Sequence, residues 1–431
     1  MKQKSKFKQA EIGEIPEDWE ELKLSEAVEV NPKRELKKGV SAKKVPMDCL
    51  SPFNKKIKSF EVSKFSGGSK FINGDTIMAR ITPCLENGKT AFVDILNDDE
   101  IGFGSTEFIV LSGKNGKTTN DFVYYLSISP QLRKEAIKSM TGTSGRQRVQ
   151  NDLFEEIELI IPPLPEQSTI AKILSDLDSK IELNQQMNKA LEEISRAIFK
   201  RWFFDFEFPN EKGKPYKSSG EEMVDSEIGE IPKGWELKRI KDCGQIVCGK
   251  TPPTKEKKNY GENIFFITIP DMHNKYLVIN TERKLSKEGA DTQKKKYLPP
   301  FTICVSCIAT PGLVVLTSKI SQTNQQINSI ICNKNVSPYF MYLMMKEKAE
   351  EIKSRGLGGT ATLNLNTGDF ENIKLILPNE EILVNFHKLI NGIFQKILTN
   401  EYQIQNLSQV RDSLLPKLMS GKIRVPTKER T

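Results

Sequence analysis

Histidine is almost absent from this sequence, whose 431 residues include two, His273 and His387. Two imidazoles are too few for a site that rests on several of them, whether as metal ligands or as acid–base groups. Long apolar runs are lacking too, since no stretch approaches the ~18 residues that a membrane-spanning helix needs. The basic segment from Met1 to Glu14 has no apolar segment behind it, so we do not expect a secretory signal.

Motifs for nucleotide and methyl-donor chemistry are also missing. The chain has no Gly-x-x-x-x-Gly-Lys-Ser/Thr phosphate loop and no convincing Gly-x-Gly-x-x-Gly after a strand pattern. It has no Asn-Pro-Pro-Tyr type motif that would offer an adenine to a methyl donor. Seven cysteines, an odd number, are typical of reduced thiols in a cytoplasmic protein. We therefore expect a cytoplasmic protein without these catalytic motifs.

The charge balance is basic, with 64 Lys and Arg against 56 Asp and Glu and a formal charge of +8. An excess of cations supplies the sequence-independent part of nucleic-acid affinity. The same excess is typical of well-solvated surface lysines, so charge alone does not decide between the two interpretations. A chain of 431 residues is too long for one ordinary core, which favours two or three domains.

One nonapeptide occurs twice: Glu11–Trp19 is EIGEIPEDW, and Glu227–Trp235 is EIGEIPKGW, 216 residues later. IELIIP at Ile157–Pro162 and IKLILP at Ile373–Pro378 keep the same offset. A period of this length indicates tandem domains, because solenoid repeats have periods of ~20 to 50 residues. The repeated string predicts an entry strap that its tryptophan anchors on each domain.

Strand-like apolar runs bounded by turn residues fill each copy, and we predict an α+β fold with a mixed sheet and a few helices. FINGDTIMARITP (71–83) and FTICVSCIATPG (301–312) are examples of such runs. The apolar spacing also predicts one helix from Asn120 to Met140. The aromatic, then Gly-, Ser- and Lys-rich segment between the copies predicts an exposed connector.

A helical apolar pattern follows each copy, over residues 164–204 and 380–421. A helix of about 40 residues is about 60 Å long, so we predict two long helices that pack seam to seam. The alternative is that each helix folds back on its own domain. The predicted seams comprise Ile170, Ile173, Leu177, Ile181, Leu191, Ile194 and Ile198, and Phe386, Leu389, Ile393, Ile397, Ile404, Leu407, Val410 and Leu414.

One asparagine interrupts each predicted seam near its middle, Asn184 in the first helix and Asn400 in the second. A polar residue in a coiled-coil seam lowers stability but fixes register and orientation. If the helices run antiparallel, the two asparagines become neighbours and pin the register. The alternative is that both are solvated residues inherited from an ancestral unit.

These patterns divide the chain into six segments. They are a first domain (1–163), a first long helix (164–204), a connector (205–226), a second domain (227–379), a second long helix (380–421) and a tail (422–431).

Two candidates for catalytic or metal chemistry remain. Cys243, Cys248, Cys304 and Cys307 allow a four-thiolate zinc site, but Cys304 and Cys307 lie in one apolar strand and point to opposite faces, which favours buried thiols. Asp271, Glu282 and Lys284 match a loose metal-dependent nuclease pattern, in which two carboxylates hold a metal. Such matches arise easily in a chain with 28% charged residues.

Polar and basic residues of the domain loops are the candidates for DNA contact. Arg, Asn and Gln pair bidentately with guanine or adenine edges, and Lys holds phosphates. The alternative is that these loops are polar for solvation only. The candidates are Lys43, Lys44, Lys55, Lys56, Arg80, Thr143, Arg146, Gln147, Arg148, Lys250, Lys255, Asn324, Gln325, Thr360 and Asn364.

Several longer segments resemble a known family, the specificity subunit of type I restriction–modification enzymes. The segments are IPPLPEQSTIAKILSDLDSKIELN, LLPKLMSGKI, EIGEIPKGW, ARITPCLENGKTAF, GSTEFIVL, VSCIAT and TNQQIN. The resemblance covers nearly the whole chain. The second helix departs from it, with LPNEEILVNF where the family often has Pro-x-x-Glu-Gln.

The resemblance implies two target recognition domains held apart by two antiparallel helices as a pseudo-twofold ruler. Each domain would read one half of a split double-stranded DNA site and direct adenine methylation and restriction. It also implies that this chain is non-catalytic and binds no cofactor itself. Two modification subunits would use S-adenosylmethionine, and two motor–nuclease restriction subunits would use ATP and Mg. A stand-alone nuclease using Asp271, Glu282 and Lys284 is the alternative.

Overall fold

The fold was established from a computed structural model, which describes residues 7–10, 13–143, 145–356 and 364–426. The chain forms two compact units. Unit 1 comprises residues 1–182 and 406–431, and unit 2 comprises residues 183–405. Each unit contains one α/β domain and a segment of each of two long helices. No helix in the described ranges is long and apolar enough to cross a membrane.

Unit 1 contains short strands and short helices, and the first long helix begins in it. The strands are β1 Phe7–Ala10, β2 Gly13–Pro16, β3 Glu20–Lys23, β4 Val28–Val30, β5 Ser41–Val45, β6 Glu61–Lys64, β7 Lys70–Phe71, β8 Thr76–Ala79, β9 Thr90–Phe92, β10 Gly102–Gly104, β11 Phe108–Gly113, β12 Met140–Thr141, β13 Arg148–Val149 and β14 Glu158–Ile161. The helices are α1 Leu24–Ala27, α2 Asn120–Ile128, α3 Pro130–Lys138, α4 Asn151–Glu155 and the long α5 Leu164–Phe203.

Unit 2 repeats this order of elements, and the second long helix begins in it. The strands are β15 Met223–Ser226, β16 Gly229–Pro232, β17 Glu236–Arg239, β18 Gly244–Cys248, β19 Tyr260–Ile267, β20 Leu277–Val278, β21 Arg283–Leu285, β22 Ile303–Ser306, β23 Val314–Thr317, β24 Ser321–Thr323, β25 Ile327–Cys332 and β26 Lys374–Leu377. The helices are α6 Ile240–Cys243, α7 Ile269–Met272, α8 Lys287–Asp291, α9 Pro338–Glu347, α10 Ala349–Arg355, α11 Thr367–Glu371 and the long α12 Glu380–Met419.

The two domains share one sheet topology, so the sequence repeat is a repeat of fold. One sheet of unit 1 has the order β4-β11-β8-β9, and its counterpart in unit 2 has the order β18-β25-β22-β23-β20. The other sheets are β6-β5-β10-β7 and β21-β19-β24, in which β5 and β10, and likewise β19 and β24, pair in parallel. The prediction of mixed α/β domains followed by long helices is therefore confirmed.

The repeated nonapeptide forms the same local structure in both units. Its middle residues form β2 and β16, each the second strand of an antiparallel hairpin. Trp19 is fully buried, and its indole Nε1 donates a 2.9 Å hydrogen bond to the Glu166 carboxylate. Trp235 is buried among Phe203, Phe206 and Phe208. Each tryptophan thus anchors its strap, as predicted.

The prediction of a single helix from Asn120 to Met140 is wrong, because the segment forms two helices. Pro130 lacks an N–H and disfavours helical geometry in the residue before it. Ser129 accordingly adopts extended φ and ψ angles of −69° and 152°, which end α2 and begin α3. The predicted exposed connector also differs in part, since Phe206 and Phe208 are buried against Trp235.

Within each unit the segments of α5 and α12 run antiparallel. In unit 1, Asp178 of α5 and Arg411 of α12 form a 2.7 Å ion pair. In unit 2, the rings of Phe199 and Phe386 lie 6.0 Å apart. Many predicted seam residues are buried, but Ile194, Leu389 and Val410 are 46–48% exposed. These three were misassigned, because a straight 3.6-residue helix drifts away from a fixed seam over many turns.

The asparagines predicted to interrupt the seams are both fully buried, so neither is solvated. Asn400 Nδ2 donates to Asn188 Oδ1 at 2.8 Å, and Asn188 Nδ2 donates to Glu401 Oε1 at 2.8 Å. Asn184 Nδ2 donates to Gln403 Oε1 at 3.1 Å. Each asparagine therefore bonds to the opposite helix. Burial raises the pKa of Glu401, and the Asn188 amide opposes that shift.

We expect Asn188→Leu to lower the free energy of unfolding by about 2–3 kcal/mol, because it leaves Glu401 and Asn400 buried without their partner. Asn385, an exposed asparagine of α12, provides the matched control Asn385→Leu. The control should change stability by less than about 0.5 kcal/mol. Urea unfolding followed by circular dichroism measures both. Equal effects of the two variants would contradict the role of the buried amides.

Candidate nucleic-acid interface

The same backbone hydrogen bonds join three loops in each domain. In unit 1, Arg80 N donates to Glu107 O, and Val149 N donates to Arg80 O, both at 2.9 Å. In unit 2, Cys307 N donates to Gln326 O at 2.8 Å, and Leu365 N donates to Cys307 O at 2.9 Å. The bridge between Ile81 and Arg148 in unit 1 likewise matches the bridge between Ile308 and Asn364 in unit 2. We call this region the loop edge: residues 80–82, 105–107 and 146–148 in unit 1, and residues 307–309, 324–326 and 364 in unit 2.

Several predicted DNA contacts meet at the loop edge of unit 1. The Arg148 guanidinium binds the Glu107 carboxylate with Nε and Nη2, at 2.7 to 3.0 Å. Arg80 Nη2 donates to Val149 O at 2.6 Å. Gln147 O accepts the Thr82 N–H at 3.0 Å, which fixes the hairpin of β12 and β13 against β8.

Thr143 and Arg146 occupy the exposed turn of that hairpin. Thr143 O accepts the Arg146 N–H at 3.0 Å, so the turn is closed by its own backbone. The sequence therefore identified a group of residues that the fold does bring together, from Arg80 to the hairpin that ends at Arg148.

A cavity of about 660 Å³ adjoins the loop edge of unit 1, and Arg80 and Thr106 belong to both. Lys33, Arg34 and Lys70 supply three further cationic groups to its lining. Clustered cations of this kind match the phosphate groups of a nucleic acid. The sequence argument missed all three, because nothing in the local pattern distinguishes them from other basic residues.

Arg34 is fixed at the cavity wall by a buried carboxylate. Its Nη2 lies 2.7 Å from both oxygens of Asp75, whose side chain is 1% exposed. Burial raises the pKa of Asp75, whereas the Ile72 N–H and the Arg34 charge oppose that shift. A carboxylate held in this way orients the guanidinium toward one side.

The four lysines predicted in the first half of unit 1 have carboxylate partners within the unit. Lys43 binds Glu100 and Lys44 binds Glu61, at 2.9 and 2.7 Å. Lys55 binds Asp121 at 3.1 Å and lies over three aromatic rings, and Lys56 binds Asp94 and lies 3.9 Å from Glu182. Lys43 and Lys55 are 15% and 13% exposed, which gives them a structural role whether or not DNA binds.

The predicted residues of unit 2 also gather at its loop edge. Asn324 Nδ2 donates to Gln326 Oε1 at 2.9 Å, and Thr251 Oγ1 donates to Gln325 Oε1 at 2.8 Å. Lys250 N donates to Thr323 O, which places Lys250 beside the same turn. Asn364 is exposed at the edge, Lys255 is exposed on a neighbouring loop, and Thr360 lies outside the described residues.

The proposed nuclease residues have other structural roles. Asp271 is 5% exposed, and its carboxylate accepts hydrogen bonds from the Thr268 N–H and hydroxyl and from the Glu282 N–H. Lys284 pairs with Glu262 instead of facing Asp271. In the described part of the chain, no group of three or more His, Cys, Asp or Glu residues is placed to hold a metal. The nuclease alternative therefore has no support.

The cysteines of unit 2 behave as small apolar residues. Cys304 and Cys307 are buried in two different hydrophobic clusters, as expected for opposite faces of one sheet. Burial raises the pKa of Cys304 to about 12 and that of Cys307 to about 11, which disfavours a thiolate at either position.

Known proteins with this organisation share one function class. The family model described as the type I restriction modification DNA specificity domain matches the chain twice, over residues 16–193 and 232–407. The HindI specificity subunit of Haemophilus influenzae is 37% identical over 404 residues, covering 81% of this chain and 86% of that protein. The MjaIX specificity subunit of Methanocaldococcus jannaschii is 28% identical, covering 98% and 97%.

A solved structure agrees in fold. The type I restriction-modification S subunit from M. genitalium is 14% identical, covers 93% of this chain and 96% of its own, and superposes with a TM-score of 0.57. The chain therefore belongs to the family of type I restriction modification DNA specificity domains. It carries that domain twice, as a specificity subunit, which confirms the resemblance seen in the sequence.

Proposed function

We propose that each domain reads one half of a split double-stranded DNA site and that the long helices set the unread spacing between the halves. The observation that supports this most is the repeat of one loop edge, built by the same backbone bonds, in two domains that belong to a DNA-specificity family. Two similar edges with different side chains suit two different short sequences.

The basic cavity beside the loop edge of unit 1 supplies the backbone contacts in this proposal. Lys33, Arg34, Lys70 and Arg80 would bind phosphates, while exposed side chains of the edge reach the bases. Phosphate contacts position a protein on DNA and base contacts specify the sequence. This division explains why the edge is polar and its neighbouring cavity is basic.

Catalysis would belong to other chains of the complex. We propose two modification subunits that use S-adenosylmethionine to methylate adenine, and two restriction subunits that use ATP and Mg, all acting in the cytoplasm. The seven free thiols of this chain suit a reducing compartment. The present chain contributes sequence recognition and geometry.

The test is to co-express this chain with its modification subunit and to map N6-methyladenine across the host genome. We expect one split motif, two short half-sites around a fixed number of unspecified base pairs. A contiguous motif, or no methylation from an assembled complex supplied with methyl donor, would contradict the proposal. Asp271→Ala should leave methylation and restriction in place, because Asp271 caps a helix in this fold.

A further inference from the structure

The loop edges of the two domains have equivalent backbones and different side chains. The matching hydrogen bonds place Arg148 where unit 2 has Asn364, and Glu107 where unit 2 has Gln326. Residues that only build the edge keep their type, as Ile81 and Ile308 do. A pair of positions with a constant backbone and a changing chemistry is the arrangement expected of residues that choose a base.

The arrangement in unit 1 suits guanine. The ion pair with Glu107 uses Nε and Nη2 of Arg148, and the guanidinium, which has five N–H donors, keeps others for a second acceptor. Arg148 is 44% exposed, so DNA can reach it. Because both Arg148 nitrogens meet one carboxylate, the plane of the guanidinium is fixed before binding. An arginine in a fixed plane pairs with the O6 and N7 atoms of guanine.

The arrangement in unit 2 suits adenine. Asn364 is exposed at the position equivalent to Arg148, and the edge around it has no charged side chain among residues 307–309, 324–326 and 364. Asn324 holds Gln326 through a 2.9 Å amide–amide hydrogen bond. A carboxamide both donates and accepts, which matches the N6 and N7 atoms of adenine.

We infer that Arg148 and Asn364 are the equivalent specificity-determining residues of the two domains. Arg148 reads a guanine in the half-site of unit 1, and Glu107 is its positioning residue. Asn364 reads an adenine in the half-site of unit 2. This inference rests on the proposed function and adds to it the residue and the base pair in each half-site.

The decisive variant combines Glu107→Gln with Arg148→Asn, which gives unit 1 the side chains of unit 2 and leaves no unpaired charge. Methylation is mapped with the assembled complex as for the wild-type chain. We expect one G·C position of one half-site to lose its preference by about 10- to 100-fold, or to change to A·T. The other half-site and the spacing should stay the same, so each complex contains its own internal control.

Two further variants separate the roles. Asn364→Ala should relax one A·T position in the other half-site only. Glu107→Gln alone should weaken discrimination at the same base pair as the double variant, because Arg148 keeps its charge but loses its orientation. The matched control is Arg196→Asn with Glu347→Gln, an ion pair of 3.0 Å between helices α5 and α9 with similar exposure, which should leave the motif unchanged.

Three results would overturn the inference while the wild-type split motif still supports the proposed function. One is an unchanged motif in the double variant. Another is a wild-type half-site of unit 1 that contains no G·C pair. The third is a uniform loss of methylation at all sites without a change in preference, which would assign Arg148 to phosphate binding. If the wild-type complex shows no split motif, the proposed function itself fails.

Discussion

A chain with one extra helical turn in each long helix should methylate a motif with the same half-sites and a longer spacer. Four residues inserted after Asn184 in α5 and four after Tyr402 in α12 preserve the hydrogen bonds of Asn184 with Gln403 and of Asn188 with Asn400 on either side. Four residues lengthen a helix by about 6 Å, and a base pair occupies about 3.4 Å, so the spacer should grow by about one to two base pairs. The original sites should lose their methylation.

The controls for this experiment separate length from disruption. An insertion of four residues after Lys212, in the exposed turn before Gly213, should leave the motif unchanged because it lies outside both helices. An insertion in α5 alone shifts Asn188 away from Asn400 and Glu401, and we expect an unstable chain with little activity. Unchanged spacing with full methylation in the paired insertion would refute the role of the helices as a ruler.

The repeat and the long helices could be predicted from sequence because their signals are local or periodic. A constant offset of 216 residues joins the strap and the closing strand of each domain, and an unbroken apolar period identifies α5 and α12. The two-helix segment at Ser129 and Pro130 was missed because the apolar spacing continues across the break, although the proline alone excludes a continuous helix.

The loop edges could be predicted only in part, because the offset between the domains changes along the chain. Glu107 is equivalent to Gln326 at an offset of 219 residues, and Arg80 to Cys307 at an offset of 227. A comparison at the fixed offset of 216 therefore found Arg148 and Asn364 but missed their partners. Insertions in the intervening loops cause these shifts, and only paired strands reveal the true equivalence.

Charge partners were the least predictable feature. Lys43 and Lys55 are ordinary basic residues in sequence, and their carboxylate partners lie 57 and 66 residues away along the chain. An ion pair of this kind depends on tertiary placement, which local pattern does not contain. Lys33 and Lys70 line the cavity for the same reason, without any sequence signal.

The C-terminal segment 422–431 was expected to be a tail, yet its first part is joined to the core of unit 1. Arg424 Nε and Nη2 bind the two carboxylate oxygens of Glu166 at 2.8 Å, and Nη2 also lies 2.7 Å from Asp18. Glu166 is 1% exposed and accepts the Trp19 indole N–H as well. One carboxylate in the first turn of α5 thus joins the strap, the helix and the end of the chain.

We expect Arg424→Ala to lower the free energy of unfolding of unit 1 by about 2–3 kcal/mol, because it leaves the Glu166 charge buried with the indole as its remaining partner. For a unit of this size the melting temperature should fall by roughly 5–10 °C. Lys422→Ala, two residues earlier and exposed, is the matched control and should melt like the wild-type chain. The double variant Glu166→Gln, Arg424→Ala should recover part of the loss, since the buried charge is removed together with its partner. If Arg424→Ala melts with the control, the end of the chain is a tail after all, and the strap depends on Trp19 alone.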